Sequence, residues 1–248
     1  MSIFRKLFTK KPDLPSIDWS YVGADMHSHL IPKIDDGVKS EDEAIDLIKR
    51  FYHLGFRKII TTPHIMGDFY RNTPEIILKG RDIIRKRIEQ EGLQLKFEAA
   101  AEYYIDFDFE RKLEEEKLLT IGDGYVLVEV SYINPPENMT ELLFKMQAKG
   151  YKVILAHPER YPFWFNNLRF FQELNYKGIY LQLNLNSLSG YYSAEIQKQG
   201  ELLVQNNLIR FIGSDCHHLE HFESMVEAGP KAALHQLLTS GLLLNGSL

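Results

Sequence analysis

The sequence has a single cysteine, Cys216, in 248 residues. No intrachain disulfide is possible, so the fold must rest on a buried apolar core, and a reducing, cytoplasmic setting is expected. No stretch reaches the roughly 18–20 consecutive apolar residues that cross a bilayer. Excess positive charge is also missing: 29 Lys and Arg face 34 Asp and Glu, for a net charge of −5. That balance offers no general attraction to nucleic acid or to an anionic membrane. There is no Gly-x-x-x-x-Gly-Lys phosphate loop, no Gly-x-Ser-x-Gly elbow and no dinucleotide glycine fingerprint. A cysteine phosphatase would need Cys-x5-Arg, but the residue six beyond Cys216 is Phe222.

What is present is ordinary globular composition, with 44% hydrophobic and 25% charged residues. Residues 1–18 read as a basic N-terminal extension, with Arg5, Lys6, Lys10 and Lys11. The simpler reading is a short tail ended by Pro12 and Pro15; the alternative is a weak anchor in which Phe4, Leu7 and Phe8 dip into a membrane surface or partner. Residues 19–248 show no repeat and no linker composition, and are expected to form one domain.

Short apolar runs alternate with helical patterns. Strands are expected at 21–26, 58–61, 95–101, 125–130, 152–156, 179–183 and 209–213. Ser40 followed by Glu43 is a capping box opening a helix that Gly55 stops. Thr73-Pro74 opens a second helix, and residues 136–149 and 234–238 are helical. This alternation implies an α/β fold with a parallel sheet, most simply a seven-stranded barrel one unit short of the eight-stranded type; an open doubly wound sheet is the alternative.

The chemistry lies at the strand ends. They carry Asp25-Met26-His27-Ser28-His29, Thr62-Pro63-His64, Glu102, Glu129, His157-Pro158-Glu159-Arg160 and Ser214-Asp215-Cys216-His217; the sixth ends in Asn184. Strand C-termini of parallel barrels converge on one rim. Imidazoles and carboxylates gathered there make a metal-ligand set suited to Mn, Fe or Zn. Each residue alone has a blander reading as a cap, an ion-pair member or a loop histidine. Glu129 is the hardest to dismiss, because a carboxylate in the apolar run Val126–Val130 needs a partner. His53 and His235 read as helix residues without chemistry. Cys216, between two candidate ligands, reads as a core residue pointing away from them.

Together, Asp25-x-His27-x-His29, Asp35-Asp36-Gly37, Thr62-Pro63-His64, Glu102-Tyr103-Tyr104, His157-Pro158-Glu159-Arg160 and Ser214-Asp215-x-His217 resemble the polymerase-and-histidinol-phosphatase (PHP) superfamily. Within it, they resemble the bacterial tyrosine-protein phosphatases of capsular and exopolysaccharide loci. The resemblance runs from Asp25 to Phe222. It implies a distorted seven-stranded barrel of PHP type with three divalent ions, manganese foremost and iron or zinc as alternatives.

By the same resemblance, His27, His29, Glu102 and Asp215 surround one ion. Glu102 bridges to a second, also held by Glu129 and His157, while Asp36, His64 and His217 hold the third. Arg160 grips the substrate phosphate, His217 is a candidate proton donor, and Asp25 and Asp35 support the ligands. Members of that family carry a further arginine after the Ser-Asp-x-His motif. Here the stretch is His218-Leu219-Glu220-His221-Phe222, so phosphate binding is expected to fall on Arg160, with His218 or His221 assisting.

The implied activity is hydrolysis of phosphotyrosine in proteins. Metal lowers the pKa of water toward about 7, and a phenol of pKa about 10 leaves readily. The implied partner is a membrane-bound bacterial tyrosine kinase that controls polysaccharide synthesis. Tyr70, Tyr103, Tyr104, Tyr161, Phe163, Trp164 and Phe165 are candidates to line the pocket, against a reading as rim packing. The competing functions are a small-molecule phosphatase of the histidinol-phosphate type and a catalytically silent, metal-stabilised interaction module.

Overall fold

A computed structural model of the protein describes residues 14–115 and 117–248. The basic and aromatic residues singled out before Leu14 lie outside the described residues. Among the described residues, no helix is long and apolar enough to cross a membrane.

The frame is nine short strands: β1 (Ala24–Asp25), β2 (Lys58–Thr61), β3 (His64–Ile65), β4 (Lys96–Ala99), β5 (Glu102–Tyr104), β6 (Tyr125–Glu129), β7 (Lys152–Ala156), β8 (Tyr180–Asn184) and β9 (Ile209–Gly213). These strands pair with one another in parallel throughout. They form two sheets, ordered β1-β2-β4 and β3-β5-β6-β7-β8-β9. The connections carry helices α1 (Glu41–Leu54), α2 (Pro74–Gln90), α3 (Phe109–Glu115), α4 (Met139–Ala148), α5 (Leu168–Tyr176), α6 (Leu185–Ser189), α7 (Ala194–Gln205), α8 (Leu219–Glu227) and α9 (Ala232–Thr239). The α/β class and the parallel pairing agree with the sequence reading.

β2 has the expected bounds 58–61, but two short strands that were not expected, β3 and β5, follow β2 and β4. The run through 58–65 breaks at Thr62-Pro63, where proline offers no N–H to a ladder. The run 95–101 ends early at Ala99, and pairing resumes at Glu102. The sheets meet at these breaks, where the Glu102 N–H lies 3.2 Å from the carbonyls of both Thr62 and Pro63. The strand expected at 21–26 shrinks to the two residues of β1. Asp18 caps a 3-10 turn, Trp19–Val22, by accepting from the Ser20 N–H, and Gly23 at φ 85 ends it. Beyond β1 and β9, Ser28 and Cys216 form a parallel bridge. Beside it, Asp215 N–H donates to His27 O and His29 N–H to Cys216 O. The first and last strands are thereby linked in a barrel-like arrangement.

The boundaries of α1 and α2 follow the sequence signals, whereas α4 begins at Met139 rather than at Pro136. Ser40 Oγ accepts from Glu43 N–H, and Gly55 at φ 119 ends α1. Thr73 caps α2, with Pro74 at its first position.

The period-two alternation of β6 separates two cores. Val126 and Val128 face outward into the large core shared with the helices, alongside Phe97, Val153, Leu155 and Ile212. Leu127 faces inward with Met26, Ile60, Ala100, Ile154, Ala156 and Phe211. Glu129 continues the inward row two residues on, at the mouth of the interior.

Candidate metal centre

His27 and His29 follow β1 on an extended segment, and their Nε2 atoms lie 3.4 Å apart. The outer nitrogens fix the rings. His27 Nδ1 donates to Gln182 Oε1 (2.9 Å), an acceptor oriented by Gln182 Nε2 donating to Leu183 O. His29 Nδ1 lies 2.7 Å from Asp35 Oδ2. Both Nε2 atoms are thereby turned inward, the arrangement in which a metal-binding imidazole is held by its other nitrogen. Gly213 lets His27 in: a Cβ there would stand 2.6 Å from the His27 Cβ. Gly37 does the same for the Asp35-Asp36 turn, because a Cβ on it would meet the His29 carbonyl oxygen at 2.2 Å.

Glu102, the first residue of β5, sits at the middle. Its Oε2 is 3.1 Å from His27 Nε2, 3.5 Å from His29 Nε2 and 3.3 Å from His64 Nδ1, and its Oε1 is 3.0 Å from His157 Nε2. Glu129 Oε1 is 3.6 Å from His157 Nε2, and its Oε2 is 3.7 Å from His64 Nδ1. Asp215 Oδ1 faces His27 and His29 at 3.3 and 3.4 Å. Asp36 Oδ1 faces His64 Nε2 at 3.6 Å and His217 Nε2 at 3.4 Å.

All nine residues named from the sequence as ligands therefore meet at one mouth. His64 and Glu102 stand at the starts of β3 and β5 rather than at strand ends, because each strand breaks and resumes just before them. Three groups have donor atoms within 4.8 Å of one another: His27, His29, Glu102 and Asp215; His29, Asp36, His64 and His217; and His64, Glu102 and Glu129.

The electrostatics fit cations. Four carboxylates converge with one arginine. Burial opposes charge on Glu102, yet His27, His64 and His157 hold its carboxyl well below the usual range. Burial and the neighbouring Glu102 instead push Glu129 well above it. Burial works against a charged His27, but Glu102 and Asp215 raise it to about 9. The protein alone thus recruits protons where a divalent ion would satisfy the same oxygens, and metal binding must displace them. His64 Nδ1 is buried without a hydrogen bond. A lone pair left free between two carboxylates suits a metal better than it suits a proton-only network.

The backbone is strained at two of the donors. His157 has φ 32 and Asp215 φ 49, the left-handed region. Such residues cost on the order of 1–3 kcal/mol each and persist where surrounding structure holds them.

Arg160 borders the donors. Its Nη1 donates to Asp215 Oδ2 at 2.8 Å, and the guanidinium lies between the rings of Tyr132 (5.0 Å) and Tyr192 (4.2 Å). Asn184 Nδ2 donates to the same Asp215 oxygen at 2.8 Å, and lies 3.0 Å from the Tyr192 hydroxyl. Asp215 therefore has one oxygen held by Arg160 and Asn184 and the other turned to the histidines. Asp35 also accepts from the Gly37 and His64 N–H groups, and Asp25 accepts from the Ser214 N–H and hydroxyl. Both stand behind the donors, as the sequence suggested.

A cleft of about 450 Å³ opens over the centre, lined by Tyr70, Tyr104, Tyr132, Arg160, Tyr192, His218 and His221 besides the donors. Of the candidate pocket aromatics, Tyr70 and Tyr104 line it. Tyr103, Tyr161 and Trp164 are buried in the core, and Phe163 packs against it. Sequence reasoning missed Tyr132, Gln182 and Tyr192. Gln182 carried one usable signal: a polar side chain on the inward row of an apolar strand. Tyr132 and Tyr192 sit in loops, and nothing local marked them.

A family model described as "Capsular polysaccharide synthesis, CpsB/CapC" matches residues 23–232. The tyrosine-protein phosphatase YwqE of Bacillus subtilis is 31% identical over 197 residues, 79% of this chain and 78% of that relative. A putative tyrosine-protein phosphatase, CapC, of Staphylococcus aureus is 29% identical over 204 residues, 82% and 80% of the two chains. Among solved structures, the chain superposes with TM-score 0.77 and 28% identity, over 90% of this chain and 94% of the other, on a structure from work on YwqE of B. subtilis and CpsB of Streptococcus pneumoniae, described as metal-dependent tyrosine phosphatases. A probable 2-pyrone-4,6-dicarboxylic acid hydrolase from Acinetobacter baumannii matches at TM-score 0.50 and 14% identity over 90% and 96%, a likeness of fold alone. With the model covering most of its length, this chain belongs to the CpsB/CapC family.

Proposed function

We propose that the chain is a metal-dependent protein-tyrosine phosphatase of capsular or exopolysaccharide synthesis. Its cognate partner is a phosphorylated membrane-bound tyrosine kinase, and its location cytoplasmic. The observation that carries this reading is the set of three His and carboxylate groups that interlock through His29, His64 and Glu102, with Arg160 beside them. Family membership and the names of the relatives support the same activity.

The proposed centre takes three divalent ions, manganese by preference. His27, His29, Glu102 and Asp215 hold the first, Glu102, Glu129 and His157 the second, and Asp36, His64 and His217 the third. When bound, the ions supply Lewis acidity and a water of lowered pKa. Arg160 binds the phosphate; Tyr132 and Tyr192 flank its guanidinium and restrict its motion, and burial between them strengthens its hydrogen bonds. Asn184 keeps Asp215 Oδ2 occupied, so that Oδ1 faces the ion. His217 Nδ1 lies 2.9 Å from the Asp215 carbonyl, which orients the ring and would leave Nε2 to hold the third ion, so the proton for the leaving phenolate would come from water. Tyr70 and Tyr104 form the wall against which the substrate ring packs.

We further read residues 19–248 as one PHP-type domain behind a short extension. Its nine strands act as seven staves, with β2 and β3 forming one, β4 and β5 another, and the Ser28–Cys216 bridge closing the ring.

The test is elemental analysis of the purified protein, combined with hydrolysis of a phosphotyrosyl peptide and of histidinol phosphate across Mn, Fe, Zn and Mg. Manganese-stimulated turnover of the peptide, lost on chelation, is expected. Full activity of metal-stripped protein in excess chelator would overturn the reading.

A further inference from the structure

Large apolar side chains left in water are unevenly spread over this molecule. Among the described residues, twelve are exposed, and six of them border the cleft: Phe69, Phe107, Tyr132, Ile133 and Tyr191 on loops, and Leu219 at the start of α8. Each lies next to a cleft-lining residue in the chain or on a loop packed against one. Phe69 adjoins Tyr70; Tyr132 lines the cleft and carries Ile133 beside it; Tyr191 adjoins Tyr192; and Leu219 adjoins His218. Phe107 belongs to the loop after β5, which is fastened to the Met66–Tyr70 turn by the Gly67 N–H donating to Asp106 Oδ2 at 2.7 Å. Phe69 and Phe107 are 72% and 77% exposed, and Ile133 is 87% exposed.

The donors and the arginine already account for the polar chemistry below. A phosphate ester small enough to be swallowed by the cleft would leave this collar wet, and exposed apolar clusters of this kind mark surfaces that bind other chains. The charges on the rim point the same way. Asp68 beside Phe69 is exposed, and Asp106 beside Phe107 is half-buried. Acidic residues arriving next to a phosphotyrosine would meet them unfavourably, whereas apolar ones would cover the rings.

We propose that the Phe69–Phe107 ledge is a specificity-determining docking surface for the polypeptide that bears the phosphotyrosine, and that it selects segments with apolar residues flanking the modified tyrosine. This rests on the phosphatase reading. It differs from that reading in locating sequence preference on two side chains outside the reaction centre. A phosphotyrosyl residue that reaches Arg160 brings its chain neighbours onto the collar, where these two rings are the most exposed aromatic side chains; Tyr176 and Tyr21, which are more exposed, lie on α5 and on the turn before β1.

The test uses the full chain with manganese and three substrates: p-nitrophenyl phosphate, a phosphotyrosyl peptide with leucine on both sides, and the same peptide with aspartate there. Wild-type protein is expected to favour the leucine peptide in kcat/KM by roughly tenfold. The double variant Phe69→Ser, Phe107→Ser is expected to erase that preference and to leave p-nitrophenyl phosphate turnover within about twofold of wild type. Equal kcat/KM for the two peptides on wild-type protein would overturn the proposal. So would a double variant that loses p-nitrophenyl phosphate turnover in proportion to peptide turnover, because the ledge would then be supporting the fold. A wild-type dimer that becomes monomeric in the variant, with the peptide preference intact, would assign the ledge to a second copy of this chain instead. No turnover of any of the three substrates would sink the phosphatase reading itself, and the docking role with it.

Discussion

The floor and the mouth of the strand-lined interior are built from the same strands, yet they obey opposite rules. On β6, Tyr125 and Leu127 belong to the floor and Glu129 to the mouth. The floor is filled by Leu127, Ile154, Met26 and Phe211, with the rings of Tyr125, Tyr180 and Phe211 meeting at 5.1–5.9 Å. Nothing there depends on pH or on an ion. The mouth concentrates buried carboxylates, two left-handed residues and a histidine nitrogen without a hydrogen bond. The floor stabilises the fold by removing apolar surface from water. The mouth spends part of that stability on groups that only a bound cation or anion makes comfortable, so the ends should fail independently.

The largest expected effect belongs to the mouth. His157→Ala removes the nitrogen next to Glu102 and Glu129 and should lower turnover of an aryl phosphate by at least about a hundredfold. Far-UV circular dichroism should stay as in the wild type, since the floor is untouched. Collapse of the fold alongside the activity would show that the two ends are not separable.

Leu127→Ala reverses the assignment. Its side chain is fully buried in the floor, and truncation should cost about 2–5 kcal/mol of unfolding free energy. Turnover per folded molecule should hold within about twofold. Denaturant unfolding and a titrated active fraction measure the two quantities separately. A change in metal content would show that the floor sets the geometry of the mouth.

How far the sequence carried the structure follows this same division. Eight of the nine donors were legible because imidazoles and carboxylates recurred at the ends of apolar runs, a pattern that needs only local reading; Asp36 came only through the family resemblance of Asp35-Asp36-Gly37. β2, β7 and β9 had the expected bounds, because their apolar residues stand between turn signals at both ends. The early end of β4 at Ala99 and the resumption of pairing at His64 and Glu102 were not legible, since an apolar run does not reveal where its ladder partner stops. Asn184 was noticed only as a neutral stand-in for a ligand. Its link to Asp215 joins positions 31 residues apart, and the stacking of Tyr132 and Tyr192 on Arg160 joins loops of different strands. Such contacts exist only once the chain has closed.

A smaller effect tests the boundary between the two ends. Glu159 is fully buried behind Arg160; its Oε1 accepts from Asn184 N–H and the Ser187 hydroxyl, while its Oε2 has no partner. Burial pushes its carboxyl up to about 7, against the lowering effect of Ser187. The folded protein therefore holds this proton more tightly than the unfolded chain does. The stabilisation is complete below about pH 4.5 and is lost as pH rises through about 7. Glu159→Gln keeps a neutral group there at every pH. Its melting temperature relative to wild type should rise by a few degrees between pH 5 and pH 8, read by thermal scans at fixed ionic strength. A difference independent of pH would mean that Glu159 is already ionised in the fold.

The smallest effect is expected at Cys216, whose position between Asp215 and His217 invites a nucleophilic role. Geometry argues against it. The thiol is fully buried in the large apolar core, and its sulfur lies 3.5 Å from the His218 carbonyl oxygen. Burial, reinforced by Asp25 and Asp215, raises its pKa well above the ordinary thiol value, so the thiolate that attack requires is suppressed. Its structural contribution comes from the backbone: Cys216 O accepts from His29 N–H, and Cys216 pairs with Ser28 across the first and last strands. A serine keeps those bonds, and its hydroxyl can donate to the same carbonyl. Cys216→Ser should thus leave kcat and KM for an aryl phosphate within about twofold of wild type, and thiol alkylation of the native protein should do nothing at short times. A loss of a hundredfold in the serine variant, with metal content unchanged, would move the chemistry from the cations to the sulfur and remove the reason for contrasting the mouth with the floor.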